Sequence, residues 1–309
     1  MPQKITDFKH IVALGGGHGL GRLLSALQFM EHRLTGIVAT SDNGGSSGRL
    51  RRNEECIAWG DLRNCINQLV TTPSIGSRLF EYRYEGEGEL AGHNLGNLIL
   101  LALDKMSVRP LQAINLIRNM LKVKSHILPM SETPTDLLAF GGCGTPLFGE
   151  TSIDAWHQLP ASLVLSPEVR ATPESLQAIA EADLLLLGPG SFLTSLLPPL
   201  LIRELAQALG ASSAPLIFIN NLVPEQGPSG QLTLAEQLAW IGNLVGRTPD
   251  GVLTDAAVEL ELPDTLVYSA PLAESGCRGR HDREKLVRAL ESLCQQMCLQ
   301  RQPLQTQCG

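Results

Sequence analysis

The sequence has no excess of positive charge: 24 lysines and arginines face 31 aspartates and glutamates, for a net charge of −7. That excludes bulk attraction to nucleic acid or anionic lipid, so no nucleic-acid partner is expected, although a local basic patch can still meet a phosphate. The chain also lacks Cys-x-x-Cys spacing. Its seven cysteines stand at 56, 65, 143, 277, 294, 298 and 308, which argues against a disulfide framework and a zinc ribbon and suits a reducing compartment. No uninterrupted apolar run is long enough for a membrane span of about 20 residues. The most apolar tract, Leu184 to Ile202, is broken by Gly188-Pro189-Gly190-Ser191 and by Pro198-Pro199. Met1 to His10 is polar and unlike a signal peptide, so a cytoplasmic location without membrane insertion is expected. His-Glu-x-x-His and the Walker loop are missing too, as are repeats and low-complexity tracts.

What is present is a regular strand–loop–helix rhythm. With 309 residues, 43% hydrophobic and 18% charged, the chain can bury a sizeable core. His10 to Leu14 is a short apolar run that stops at a glycine cluster, and Leu20 to Met30 continues at helical spacing. The pattern restarts at Leu34 to Thr40, and resumes later with strands at Ser162 to Leu165, Asp183 to Leu187 and Pro215 to Asn220. A helix near Leu232 to Val245, strands around Gly251 to Ala257 and Thr265 to Ser269, and a helix from Asp282 to Met297 follow. Continuous apolar strands alternating with helices predict an α/β fold, a mostly parallel sheet with helices on both faces. We expect one domain over 1–309, with a helical insertion at roughly 55–124 and a β-hairpin excursion at roughly 125–153, punctuated by Gly141-Gly142 and Gly144.

Polar loops gather at the strand ends. Gly15, Gly16, Gly17, His18 and Gly19 form a strand-to-helix turn where bare backbone amides and a helix dipole can hold a phosphate, though the spacing is not G-x-G-x-x-G. The alternative is a tight turn without a ligand. After the second strand, Asp42, Asn43, Gly44, Gly45, Ser46, Ser47 and Arg49 combine hydroxyl, amide and guanidinium donors with one carboxylate. Arg51 and Arg52 extend the cation cluster. Asp42 can accept from a sugar hydroxyl or hold a divalent ion, and is the one candidate metal ligand.

Further along, Asp61, Arg63 and Asn64, then His93, Asn94 and Asn97, stand beside glycines at predicted helix starts. Capping accounts for Asp61 and Asn94, and ligand contact and a structural role both remain open for these two groups. Gly188, Pro189, Gly190 and Ser191, with Thr194 and Ser195 behind them, form a second anion loop, and Asn220-Asn221 closes another strand. Four strands ending in such residues on one sheet edge are where an open parallel sheet binds ligands. Near the C-terminus, Glu274 to Asp282 reads as a solvated turn, with Asp282 a helix cap and Arg278 and His281 less favoured for the crevice.

Together the segments 11–20 (IVALGGGHGL), 41–52 (SDNGGSSGRLRR), 60–65 (GDLRNC), 92–100 (GHNLGNLIL), 184–201 (LLLLGPGSFLTSLLPPLL) and 271–282 (PLAESGCRGRHD) resemble the CofD-like family, in particular its YvcK branch of gluconeogenesis factors. The resemblance implies a Rossmann-like core with an added helical portion, a homodimer and a cytoplasmic location. It also implies a UDP-sugar or related nucleotide ligand and a link to cell shape and growth on gluconeogenic carbon sources. In the CofD branch proper it implies transfer of a phospholactyl-type group to a deazaflavin, with magnesium as a candidate cofactor only on that reading. Asn43 stands where the family commonly has a second acid. We therefore expect ligand binding to need little or no magnesium.

Overall fold

The computed structural model describes residues 4–106, 108–142, 146–255 and 265–301. In chain order its strands are β1 (Ile11–Gly15), β2 (Leu34–Val38), β3 (His126–Pro129), β4 (Asp136–Phe140), β5 (Pro146–Phe148), β6 (Ser162–Ser166), β7 (Leu184–Leu187), β8 (Leu216–Ile219), β9 (Gly251–Thr254), β10 (Leu266–Ser269), β11 (Ala273–Glu274) and β12 (Cys277–His281). The helices are α1 (Gly17–Ala26), α2 (Gly45–Arg51), α3 (Trp59–Gln68), α4 (Ile75–Glu81), α5 (Leu95–Lys105) and α6 (Pro110–Met120). After them come α7 (Glu150–Asp154), α8 (Pro173–Glu181), α9 (Leu197–Leu201), α10 (Arg203–Ala211), α11 (Leu234–Val245) and α12 (Arg283–Arg301).

Seven strands form one sheet in the order β10-β9-β8-β7-β1-β2-β3, every neighbouring pair parallel. The fold is therefore an α/β, Rossmann-like one. Its apolar strands are continuous because both faces are covered. Leu184 and Leu186 of β7 point into a core shared with α1, α3 and α12, while Leu185 and Leu187 point into one shared with α8, α10 and α11. Each such leucine contributes about 1.5–3 kcal/mol by leaving water. The strand order reverses between β1 and β7, so their outgoing loops diverge and leave a crevice at that switch point.

Several local expectations change. His126–Pro129 is not part of a hairpin excursion. It is edge strand β3 of the main sheet, paired with β2. Ser162–Ser166 does not join the main sheet either; it pairs antiparallel with β4, which also pairs with β5, in a three-stranded sheet of its own. Residues 45–51, read as a loop, form helix α2, because packing overrides the poor intrinsic propensity of its glycines. The segment 273–281 forms an antiparallel hairpin rather than a turn. Cys143, Gly144 and part of the 251–257 strand reading lie outside the described residues. Among those described, no helix is long and apolar enough to cross a membrane.

Candidate functional site

The two glycine turns touch. Gly17 has φ +60° and Gly190 φ +140°, backbone shapes that glycine adopts without penalty. A Cβ on Gly19 would overlap the Pro189 carbonyl, and one on Gly16 would lie 2.6 Å from Asp61 Oδ2 and 3.2 Å from Ser195 Cβ. The third strand end locks in through Asn221, whose Oδ1 accepts from Gly190 N at 3.0 Å and whose Nδ2 donates to Gly190 O at 2.8 Å. Asn220 Oδ1 in turn accepts from Asn221 N at 2.9 Å. Three loops, after β1, β7 and β8, thus form one rim.

Beside the rim lies a cavity of about 410 Å³, lined by His18, Gly19, Pro189, Gly190 and Asn221 on one side. Its other wall was not foreseen as such: Arg22 and Gln68 from α1 and α3, Glu225, and Gly279, Arg280 and His281 of β12. His281 is buried, not solvated, and burial lowers its pKa to about 4. Arg22 Nε donates to the His281 carbonyl at 2.7 Å, and its Nη2 pairs with Glu274 at 2.9 Å, which docks the hairpin on α1. Asp282 does cap α12, accepting from Lys285 N at 3.0 Å.

On the other side of the glycine turns the fold assembles carboxyl groups. Asp42 Oδ1 accepts from Gly44 N at 2.6 Å, and Ser47 and Glu150 also hydrogen-bond its carboxylate. Asp61, for which a cap and a ligand contact were both open, sits inside the first turn of α3, whose N-cap is Ala58, and accepts from the Gly17 amide. Burial, with Asp42 second, pushes Asp61 up to about 7. Glu150 is driven well above the carboxylate range by burial, then by Asp42, Asp61 and Asp154; protonated, it donates to Asp42. Thr194 bridges the group, its Oγ1 3.3 Å from Glu150 and 3.1 Å from Asp154, and it donates to Ser191 at 2.7 Å.

The expectation of one carboxylate at this point therefore gives way to a cluster of four. Asn43 ties two segments together through its side-chain oxygen. Its Oδ1 accepts from Thr151 N at 3.1 Å and Thr151 Oγ1 at 3.3 Å, which draws α7, with Glu150 and Asp154, onto the second loop. Among the described residues no group of three or more His, Cys, Asp or Glu is arranged to hold a metal ion. Burial raises the pKa of all four acids.

The remaining sequence candidates divide. Ser46 Oγ accepts from Asn94 N at 3.2 Å and lies 3.5 Å from His93 Nδ1, so α2 packs on the start of α5. Asn94 is the α5 cap, accepting from Asn97 N at 3.3 Å. Arg63 pairs with Glu81 under Gly96, and the buried Asn64 lies against Gly21 of α1. Arg49 packs its guanidinium on Gly92, with no carboxylate pairing it among the described residues. Arg51 is occupied otherwise: it donates to the Ser41, Asp42, Cys56 and Thr135 carbonyls and pairs with Asp136 at 2.9 Å.

A parallel sheet with glycine loops meeting at its switch point defines an α/β protein with a small-molecule crevice. The chain belongs to the CofD family: the family model described as "2-phospho-L-lactate transferase CofD" matches residues 11–294. It is similar to the "Putative gluconeogenesis factor" of Vibrio cholerae, 54% identical over 93% of this chain and 98% of that one. The "Gluconeogenesis factor" of Listeria monocytogenes is 36% identical over 77% of this chain and 74% of that one. Among solved structures, a UPF0052-family protein of Bacillus halodurans superposes with a TM-score of 0.83 at 29% identity, covering 91% of this chain and 98% of its own.

Proposed function

We propose that this protein is a gluconeogenesis factor that binds a phosphate-bearing nucleotide, a UDP-sugar, across the β1–β7 crevice without transferring any group. On this reading the first-turn amides of α1, in the 15–19 turn and beside the 188–191 loop, receive the diphosphate, with Arg49 a further cation for it. The acids from Asp42 to Asp154 meet sugar hydroxyls. It works in the cytoplasm as a homodimer and supports cell shape and growth on gluconeogenic carbon. The observation that supports it most is the contact between the Gly19 turn and the Pro189 loop, which sets the start of α1 beside the end of β7 at the switch point of the sheet. The names of the Vibrio and Listeria relatives support the cellular role.

The test is a thermal-shift panel of UDP-sugars, GDP, GTP, NAD(P) and a deazaflavin, with and without magnesium. Ligand binding to native protein alone raises stability by RT ln(1 + [L]/Kd). A shift with UDP-sugars supports the proposal; silence with every nucleotide defeats it. The second reading, a phospholactyl-type transferase, has the family model's description behind it. Product formed from a phosphoester donor and a deazaflavin would establish it.

A further inference from the structure

We propose that the face formed by helices α4, α5 and α6 is the surface on which two copies of this chain pair. The proposal rests on the homodimer of the reading above and gives it an interface. Six of the thirteen large apolar side chains left exposed among the described residues sit on these helices or at their ends: Ile75, Leu79 and Tyr82, then Met106, Leu116 and Met120. That concentration sets the face apart from apolar side chains scattered singly over a surface. Helical spacing lines them up. Ile75, Leu79 and Tyr82 follow one another at four and three residues along α4, and Leu116 and Met120 stand four apart on α6.

Each helix also turns an opposite face to the core, through Phe80 of α4, Leu100 of α5 and Ile114 and Ile117 of α6. The outward residues are therefore not used by the core of a single chain. Helix α5 carries the pattern furthest: six of its eleven residues are leucine or isoleucine, and of these only Leu100 is fully buried. A helix that is apolar all round is one that is covered all round. α5 packs on both α4 and α6. A Cβ on Gly76, at the start of α4, would lie 3.8 Å from Leu121, just past α6. The three helices thus form one continuous face.

Charge selects a second copy as the occupant. Several ionic groups of these helices are paired within the chain: Glu81 with Arg63, Lys105 with Glu54, and Arg109 with Glu132 and Glu174. Two exposed groups of opposite sign make no salt bridge among the described residues. Lys122, beside Leu121, stands at the end of the face where α4 begins, and Arg78 lies one turn along α4. Glu85, Glu87 and Glu89 stand beyond the other end of α4, in a loop closed by the Arg83–Asn94 bridge and by the bond from Leu95 N to the Tyr82 carbonyl at 2.8 Å. Arg83 is tied to the Gly92 carbonyl at 2.8 Å, which leaves the loop tip acidic. A two-fold axis crossing α4 at right angles reverses the face end for end. It lays one apolar stripe on the other and the basic end of each copy against the acidic loop of its mate. The stripe supplies the affinity, and the exposed charges fix the register.

Sedimentation velocity of the full chain over a range of concentrations tests this. The wild type is expected at twice the chain mass of 33.3 kDa. Leu79→Glu combined with Leu116→Glu, both at exposed side chains, should raise the dimer dissociation constant at least about tenfold, with circular dichroism and UDP-sugar titration unchanged. Arg78→Glu with Lys122→Glu should weaken the dimer about threefold or more, as should Glu85→Lys, Glu87→Lys and Glu89→Lys together. All five changes in one chain should restore it. Val164→Lys, at an exposed apolar side chain of β6, should leave the dimer intact. A wild type that is monomeric at every concentration leaves the face to a different protein, and refutes both the homodimer and this interface. A dimer that survives the two leucine changes, that Val164→Lys breaks, or whose charge reversals do not compensate refutes this interface alone. UDP-sugar titration is read separately, so failure at the crevice leaves the result interpretable.

Discussion

Gly19 and Pro189 meet so closely that a single methyl group on Gly19 would overlap the Pro189 carbonyl. The overlap is with backbone, which cannot swing aside as a flexible side chain does. Gly19→Ala is therefore expected to part the two loops, lower the melting temperature by several degrees and cost at least about tenfold in nucleotide affinity. Gly17→Ala is milder in space, with Asp61 Oδ1 3.5 Å from the new Cβ, but strained at φ +60° by about 1–2 kcal/mol. Calorimetry on both variants checks the order: Gly19→Ala must be the worse of the two.

Arginines 49 and 51 look alike in the sequence and play opposite parts in the fold. Arg51 holds the second loop through four carbonyls, so Arg51→Ala should destabilise by about 2–4 kcal/mol. Arg49→Ala should leave melting nearly unchanged. It should weaken a UDP-sugar by about 1.5–3 kcal/mol while sparing uridine, because a charge-assisted bond to phosphate is lost. Equal losses for both ligands would detach Arg49 from the phosphate.

The pair shows where sequence reading reaches its end. The parallel sheet was legible because strands such as Leu184–Leu187 are apolar on both faces, and the glycine turns because they follow those strands directly. The carboxyl cluster was not legible. Glu150 and Asp154 reach Asp42 only because Asn43 binds Thr151, 108 residues away, and no local period announces such a contact. The β12 wall was hidden for a related reason: residues 277–280 are exposed and polar like any turn, and only the docking of Arg22 on the His281 carbonyl brings them to the cavity. For Asp61 a cap and a ligand contact were both open, because an acid near a helix start is often a cap; its acceptance from the Gly17 amide is a long-range contact that no local pattern announces.

Asp61 should also set a pH dependence of stability. Its pKa is raised from 3.8 to about 7, so between those values the native state holds a proton that the unfolded chain has released. Stability then falls as pH rises through that window and is lowest above it. Asp61→Asn keeps an acceptor for Gly17 and removes the charge. It should raise the melting temperature by a few degrees at pH 8, equivalent to about 1–2 kcal/mol once partial solvent screening is allowed for. At pH 4 the gain should vanish, since the carboxyl is then protonated in the folded protein. A gain equal at both pH values would place its origin elsewhere than in ionisation.

The same protons should govern ligand binding. Asp42, Asp61, Glu150 and Asp154 all have raised pKa values, and they border the loops proposed to hold a diphosphate. Protonated, they donate to ligand oxygens; ionised, they repel phosphate. Among the described residues no metal-holding group of His, Cys, Asp or Glu is formed to offset that repulsion. UDP-sugar affinity is therefore expected to survive EDTA and to fall by about tenfold or more between pH 6 and pH 8.5, as Asp61 and then Glu150 lose their protons. Asp61→Asn should flatten the lower part of that profile, and Glu150→Gln the upper part. Isothermal titration across the range, with EDTA and with magnesium, separates the alternatives. Affinity that appears only with magnesium and rises with pH would mean that a cation, not protons, balances the carboxylates, and would shift the balance to the transferase reading.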